Sequence, residues 1–260
     1  MNINLIRVFS IGGLSGTGHL MPPPVLPPDS PPALPPGPEL ENVNAKDFES
    51  GETALHVAAR QGNTSRVRWL LDKGANKYPR LVNGDTAFHL AARNGDIKLV
   101  ELFLNRGVKV HLKNKNKKTP LEIVKIAKKN AKNKEEKIRY ENIEKYLEDY
   151  IKKGEKLMKC IASGGKKVSK ILQKNPELIH YTAISKETPL TKAVKSINGS
   201  KCVKLLLDYG AYVAARDENR NKPLHLAVQY GRTNVVMQLL KHVEENETEM
   251  FHTKLFRILN

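Results

Sequence analysis

The chain restates one stretch of itself at a fixed interval. Thr53-Ala54-Leu55-His56-Val57-Ala58-Ala59 returns as Thr86-Ala87-Phe88-His89-Leu90-Ala91-Ala92, and Thr119-Pro120-Leu121 marks the same register after an equal step. Thr188-Pro189-Leu190 and Lys222-Pro223-Leu224-His225-Leu226-Ala227 mark it twice more, nearly the same step apart. A period of about 33 residues excludes a single core assembled from unlike elements. It calls for small units of one design, stacked so that each buries the apolar face of the next.

Within a unit each position has a physical reason. Thr is a good helix N-cap, and Pro suits the first helical turn. Leu55, Ala58 and Ala59 set small or apolar side chains at helical spacing, so a neighbouring helix can approach closely. Gly62 and Gly95 end that helix where a left-handed residue is wanted. Val67, Leu70 and Leu71 form the apolar stripe of a second helix, stopped by Gly74. The motif resembles the ankyrin repeat. That resemblance implies an all-α fold, an α-solenoid of stacked helix-turn-helix units with short β-turn fingers. About six units fit, four of them well matched, which gives a repeat domain over residues 43–245.

The later units depart from the pattern. Opening Thr and closing Gly are equally spaced in the first two units, Thr53 to Gly74 and Thr86 to Gly107. In the third they lie much farther apart, from Thr119 to Gly154. The spacing predicts a Lys-rich insertion near 125–150, worth about four helical turns, that lengthens both helices and their turn. The fourth unit has lost its opening motif. What remains predicts a helix pair over about 156–162 and 168–173, separated by Gly164-Gly165.

Two segments flank the repeats. Residues 22–38 hold ten prolines in a four-residue rhythm, so residues 1–42 are expected to be a disordered Pro-rich tail with a polyproline II rod. A spacer is one reading. A ligand for a Pro-reading domain at Pro22 to Pro38 is the other, although no Lys or Arg lies between Arg7 and Lys46. Residues 246–260 carry Met250, Phe251, Leu255, Phe256, Ile258 and Leu259, and are expected to form a capping helix or a partner-binding tail. The apolar patch near the start has no basic region ahead of it, so no secretory signal is expected. Cys160 and Cys202 lie in helical stripes and read as free thiols of a reducing cytosol. Lys outnumbers Arg 32 to 12, a bias that suits an AT-rich genome. Many ankyrin proteins of intracellular bacteria act inside a host cell, and an effector of that kind is part of the expectation.

No catalytic constellation is present. Gly-x-Ser-x-Gly, His-Glu-x-x-His and Cys-x-x-Cys are all lacking. Gly13 to Gly18 has the spacing of a phosphate loop, but His19 and Leu20 stand where Lys and Ser or Thr are needed. His56, His89 and His225 recur at one register, yet successive units lie about 10 Å apart, too far to share a metal ion. In ankyrin proteins this His is similar to a structural one that hydrogen-bonds backbone between adjacent units. The chain is therefore expected to be a monomer without cofactor, metal or enzymatic activity.

Function then falls to the surface. By the resemblance, a partner protein contacts the turn before each Thr and the exposed end of the first helix, which line a concave face. The turn positions are Glu52, Asp85, Lys118, Glu187 and Asn221, with Val82 and Ile184 among their neighbours. The helix-end positions are Arg60, Gln61, Arg93, Asn94, Gln229 and Tyr230. Turn residues are expected to make no core contacts and so to be free for recognition. Tyr230 is the best single anchor. A second reading uses charge. The formal net charge is +17, and Lys109 to Lys174 holds 20 Lys and Arg139 against eight acids. Either these lysines form a solvated helix face, braced by pairs such as Glu135–Arg139, Glu141–Lys145 and Glu148–Lys152, or an unpaired cluster that includes Lys115, Lys118, Lys125 and Lys128 meets an acidic protein, nucleic acid or an anionic membrane.

Overall fold

The computed structural model describes residues 42–245. The expected proline rod and the expected C-terminal cap lie outside the described residues. Helices follow in pairs. α1 (Ala54–Arg60) and α2 (Thr64–Asp72) form the first pair, α3 (Ala87–Asn94) and α4 (Ile97–Asn105) the second. Then come α5 (Pro120–Lys129), α6 (Lys134–Ala162), α7 (Val168–Lys174) and a 3-10 turn, Pro176–His180. α8 (Pro189–Lys195), α9 (Ser200–Asp208), α10 (Pro223–Gln229) and α11, residues 233–245, complete the described chain. A lone antiparallel bridge, Lys46 to Thr53, is the nearest approach to a strand among the described residues.

The first helices pack in a row, α1 on α3, α3 on α5, α6 on α8 and α8 on α10, while α2 packs on α4 behind them. Alanines at the contact allow this closeness: Ala58, Ala59, Ala91 and Ala92 are all buried. Leu70, Leu99, Phe103, Leu157 and Leu206 fill the layer between the rows. α2, α4 and α6 start on Asx caps. The side chains of Asn63, Asp96 and Asn133 accept from the backbone N–H of Arg66, Lys98 and Glu136 at 2.8–2.9 Å.

The recurring His joins one unit to the next. His56 Nδ1 accepts from the Thr53 N–H at 3.2 Å, and its Nε2 donates to the Pro79 carbonyl at 3.1 Å. His89 repeats the device, accepting from the Thr86 N–H and donating to the carbonyls of Leu112 and Lys118 at 3.0 and 3.2 Å. These contacts fix the tautomer with the proton on Nε2. The structural role implied for this His is the one it has. His225 makes the first contact, accepting from the Lys222 N–H at 3.2 Å.

Among the described residues the chain folds into five short fingers, each ahead of the first helix of a pair. Each is closed by a backbone bond across its base: Asp47 to Glu52, Leu81 to Asp85, Asn114 to Lys118, Ala183 to Glu187 and Asp217 to Asn221, at 2.8–3.0 Å. Two residues before the helix cap, every finger needs a left-handed backbone. Gly51 and Gly84 supply it in the first two, with φ of 68° and 81°. Lys117, Lys186 and Arg220 adopt it in the other three, with φ of 58°, 59° and 64°.

Two expectations for the middle of the chain need correction. Gly154 does not stop a helix. α6 runs unbroken for 29 residues, so the second helix of the third unit and the first helix of the fourth are one rod. The fourth unit accordingly contributes no finger of its own. Gly154 serves a packing need instead: a Cβ there would lie 2.3 Å from Cδ2 of Tyr181, whose buried ring lies against the bare backbone. The expected pairs Glu135–Arg139, Glu141–Lys145 and Glu148–Lys152 are not among the ion pairs of the described residues. The α6 carboxylates reach across to α5: Glu148 pairs with Lys125 at 2.7 Å, and Glu144 pairs with Lys128. Lys125 and Lys128 therefore do not belong to an unpaired cluster.

Candidate partner-binding site

The five fingers and the ends of the first helices form one edge of the stack. The second residue of each finger is exposed: Val82, Lys115, Ile184 and Glu218, four residues before the helix cap, and Phe48, five before it in the longer first finger. Three of the five are apolar and bare. Phe48 is fully exposed, Val82 is 66% exposed and Ile184 is 75% exposed. On the helices behind them, Ile126, Val228 and Tyr230 are exposed apolar or aromatic side chains. Sequence reading placed Tyr230 correctly at the surface. It passed over Ile126, which sits at the register of Arg60 and Arg93, and over Phe48 and Val228; Val228 occupies the register of Ala59 and Ala92, a position buried in those units.

The charged positions of this edge bind one another. Glu52 and Arg60 pair at 2.9 Å, Asp85 and Arg93 at 2.9 Å, and Glu187 and Lys195 at 3.2 Å. Each pair ties the base of a finger to the far end of the helix that follows, eight residues on. Lys195 also reaches Asp217 of the next finger at 3.0 Å. Pairs as exposed as Glu52–Arg60 add only about 0.2–1 kcal/mol, so their use lies in fixing finger orientation.

Asp85 corrects the expectation for turn residues. It is completely buried. Its carboxylate accepts from Asn114 Nδ2 at 2.7 Å, Arg93 at 2.9 Å and Asn83 Nδ2 at 3.0 Å. Burial alone pushes its pKa up, but the bonds from Asn114 and Arg93 and the Arg93 charge outweigh that and hold it below the usual carboxylate range. Asp217 behaves alike, with burial opposed by Lys195 and the backbone N–H groups of Asn221 and Asn219. Asp85 thus works inside the fold, and Arg93 alone of that pair reaches solvent. Asn94 is likewise engaged, its amide donating to the Arg60 carbonyl of the preceding unit at 3.1 Å. Gln61, Lys118, Gln229 and Tyr230 are exposed, and Asn221 is half-buried.

A profile for ankyrin repeats, three copies long, matches residues 34–114 and 157–249, more than half of the chain. The chain belongs to the ankyrin repeat family. Ankyrin repeats are generally protein–protein interaction modules, and the family is typically non-enzymatic. The unmatched span between the two blocks holds α5 and most of α6, where the ankyrin unit gives way to the fused helix. No curated protein matches the chain. Among solved structures 462 chains match. One comes from the Bd0816 predatory endopeptidase from Bdellovibrio bacteriovorus in complex with immunity protein Bd3460. It is 20% identical over 73% of this chain and 98% of that one, with a TM-score of 0.31.

The remaining ankyrin surface offers little chemistry. Among the described residues no group of three His, Cys, Asp or Glu side chains stands close enough to hold a metal ion. No helix among them is long and apolar enough to cross a membrane. Cys160 and Cys202 are free, Cys202 buried and Cys160 half-buried.

Proposed function

We propose that this ankyrin protein is a non-enzymatic interaction module that grips a partner protein with its fingertips and the exposed ends of its first helices. The observation that carries the reading is the exposure of apolar side chains on three fingers: Val82 and Ile184 share one register, four residues before the helix cap, and Phe48 stands one residue earlier in the longer first finger. Nothing in the stack needs an apolar residue there, and each exposes oily surface to water. Apolar and aromatic anchors held on a rigid frame are what a protein partner recognises at low entropic cost. Glu52, Arg60, Arg93, Gln61, Glu187, Lys118, Asn221, Gln229 and Tyr230 form the polar surround, with Asp85 and Asn94 bracing it from within. The two free thiols suit a reducing compartment, a cytosol, and for a secreted effector that of a host cell.

The rival reading places binding on the lysines, with nucleic acid or an anionic membrane as partner. Affinity capture with three proteins separates the two: the natural chain, a rim variant (Val82→Ser, Ile184→Ser, Tyr230→Ala), and a belt variant (Lys129→Glu, Lys132→Glu, Lys134→Glu). The rim variant is expected to lose the bound protein at any salt concentration. Loss in the belt variant alone, with steep weakening in high salt, would transfer the function to the lysines.

A further inference from the structure

Where the second helices hand over to the fingers, the chain forms an open cavity of about 490 Å³. Its walls come from units distant in sequence: Lys77 and Tyr78 after α2, Lys109 after α4, Lys186 in the fourth finger, and Tyr212 and Arg216 after α9. The fused α6 explains how they meet. Because the fourth unit brings no finger, the loop after α4 lies directly against the turn Pro176–His180. A Cβ on Gly107 would fall 2.9 Å from that of His180, and His111 Nε2 stands 3.2 Å from the Tyr181 hydroxyl.

Five Lys or Arg side chains and His180 line this cavity, and no carboxylate does. Arg106 is neutralised by Asp72 at 2.7 Å. The other four cations have no ion-pair partner among the described residues. Lys77 donates to the Arg106 carbonyl, and Arg216 donates to the Arg220 carbonyl at 3.1 Å. These contacts hold the charges in place without cancelling them. Lys109 lies 5.4 Å from the centre of the Tyr78 ring. Burial, then the Arg106 charge, lowers the pKa of Lys77; burial, then Lys186, lowers that of Lys109. His180 is lowered by burial and by Lys77. The cavity therefore gathers like charges at a cost, which an anion bound there would relieve.

We propose that this cavity binds a small organic molecule carrying two or more phosphate groups. Each phosphate monoester carries about −1.5 to −2 at neutral pH, so two balance the four uncompensated cations. The volume falls in the range of small-molecule sites, roughly 300–1,000 Å³, and is too small for a folded protein. Leu190, Ala211 and Tyr212 give the organic part an apolar wall. The cavity shares the fourth finger through Lys186, but Phe48, Val82 and Ile184 do not line it, so it stands or falls independently of the partner reading. The same chemistry can arrive free in solution or as a phosphorylated lipid headgroup.

Titration calorimetry on the full chain tests this, with inorganic pyrophosphate, ATP, inositol hexakisphosphate, and phosphatidylcholine vesicles with and without phosphatidylinositol bisphosphate as probes. Lys186→Gly with Lys109→Gln is the decisive variant. The glycine removes a cation and relieves a left-handed backbone, so stability is retained while the site is weakened. Affinity for the phosphorylated probe is expected to fall about tenfold or more for each cation removed, and to be unchanged in Lys129→Gln with Lys132→Gln. Binding of soluble probes assigns a free ligand; variant-sensitive binding of the phosphorylated vesicles alone assigns a lipid headgroup. Failure of the natural chain to bind any probe would overturn the proposal, as would equal weakening in the two variants.

Discussion

Lys117, Lys186 and Arg220 occupy the backbone conformation that Gly51 and Gly84 occupy in the first two fingers. A side chain there costs about 1–2 kcal/mol, part of which glycine returns as chain entropy when unfolded. Replacing each by Gly is expected to stabilise by about 0.5–1 kcal/mol, a rise of about 1–4 °C in Tm by calorimetry. Unchanged or lower Tm in all three would mean the fingers are unstrained. The inter-unit histidines carry a pH signature. His56 and His89 have pKa values lowered from 6.5, mainly by burial. Below about pH 6.5 the unfolded chain binds the proton that the folded chain refuses. The stabilisation is complete above that value and is lost as pH falls through it toward the depressed folded pKa. His111 and His180 shift the same way. The denaturant midpoint is expected to drop between about pH 7.5 and pH 5, and His56→Gln with His89→Gln to flatten the slope. At this scale the sequence made the His role legible through its register. It did not reveal the fate of Asp85, because a carboxylate before an N-cap looks the same whether it faces solvent or accepts three bonds, one of them from the next finger.

At the scale of elements, the period made the repeated helix pairs readable, since cap, apolar stripe and stop recur together. The middle of the chain was harder because Gly154 carries two meanings. In the outer units a glycine at the end of the apolar stripe is a stop; here it makes room for Tyr181, which approaches from well beyond the end of the helix. Local spacing cannot register a contact of that kind. The distinction has a measurable sign. Helix propensity alone favours Gly154→Ala by about 1 kcal/mol. The packing predicts destabilisation of about 1–3 kcal/mol by urea denaturation, and a smaller penalty when Tyr181→Leu is present, as a double-mutant cycle would report. A stabilised Gly154→Ala protein would restore the reading of that residue as a chain signal. The same fused helix redistributes charge. Lys125 and Lys128 meet carboxylates of α6, so a run that looks uniformly basic along the sequence is partly cancelled across the α5–α6 pair.

For the molecule as a whole, the stack does two things at once. It buries helix faces that no single unit could cover, and it carries a row of fingers whose tips take no part in that burial. Sequence register located this row and marked Tyr230 as its best anchor, but most of the other residues it singled out were charged or polar. Three of the acids proved to be committed to basic partners eight residues on, which left the apolar tips as the surface that lacks an internal purpose. Photo-crosslinking in the cell of origin addresses this directly. A benzophenone side chain placed at residue 82, 184 or 230 is expected to yield an adduct with one shared protein. The same group at exposed positions 68, 98 or 204, on the second helices, is expected to yield none. Adducts from the second-helix positions, with none from the fingertips, would contradict the account.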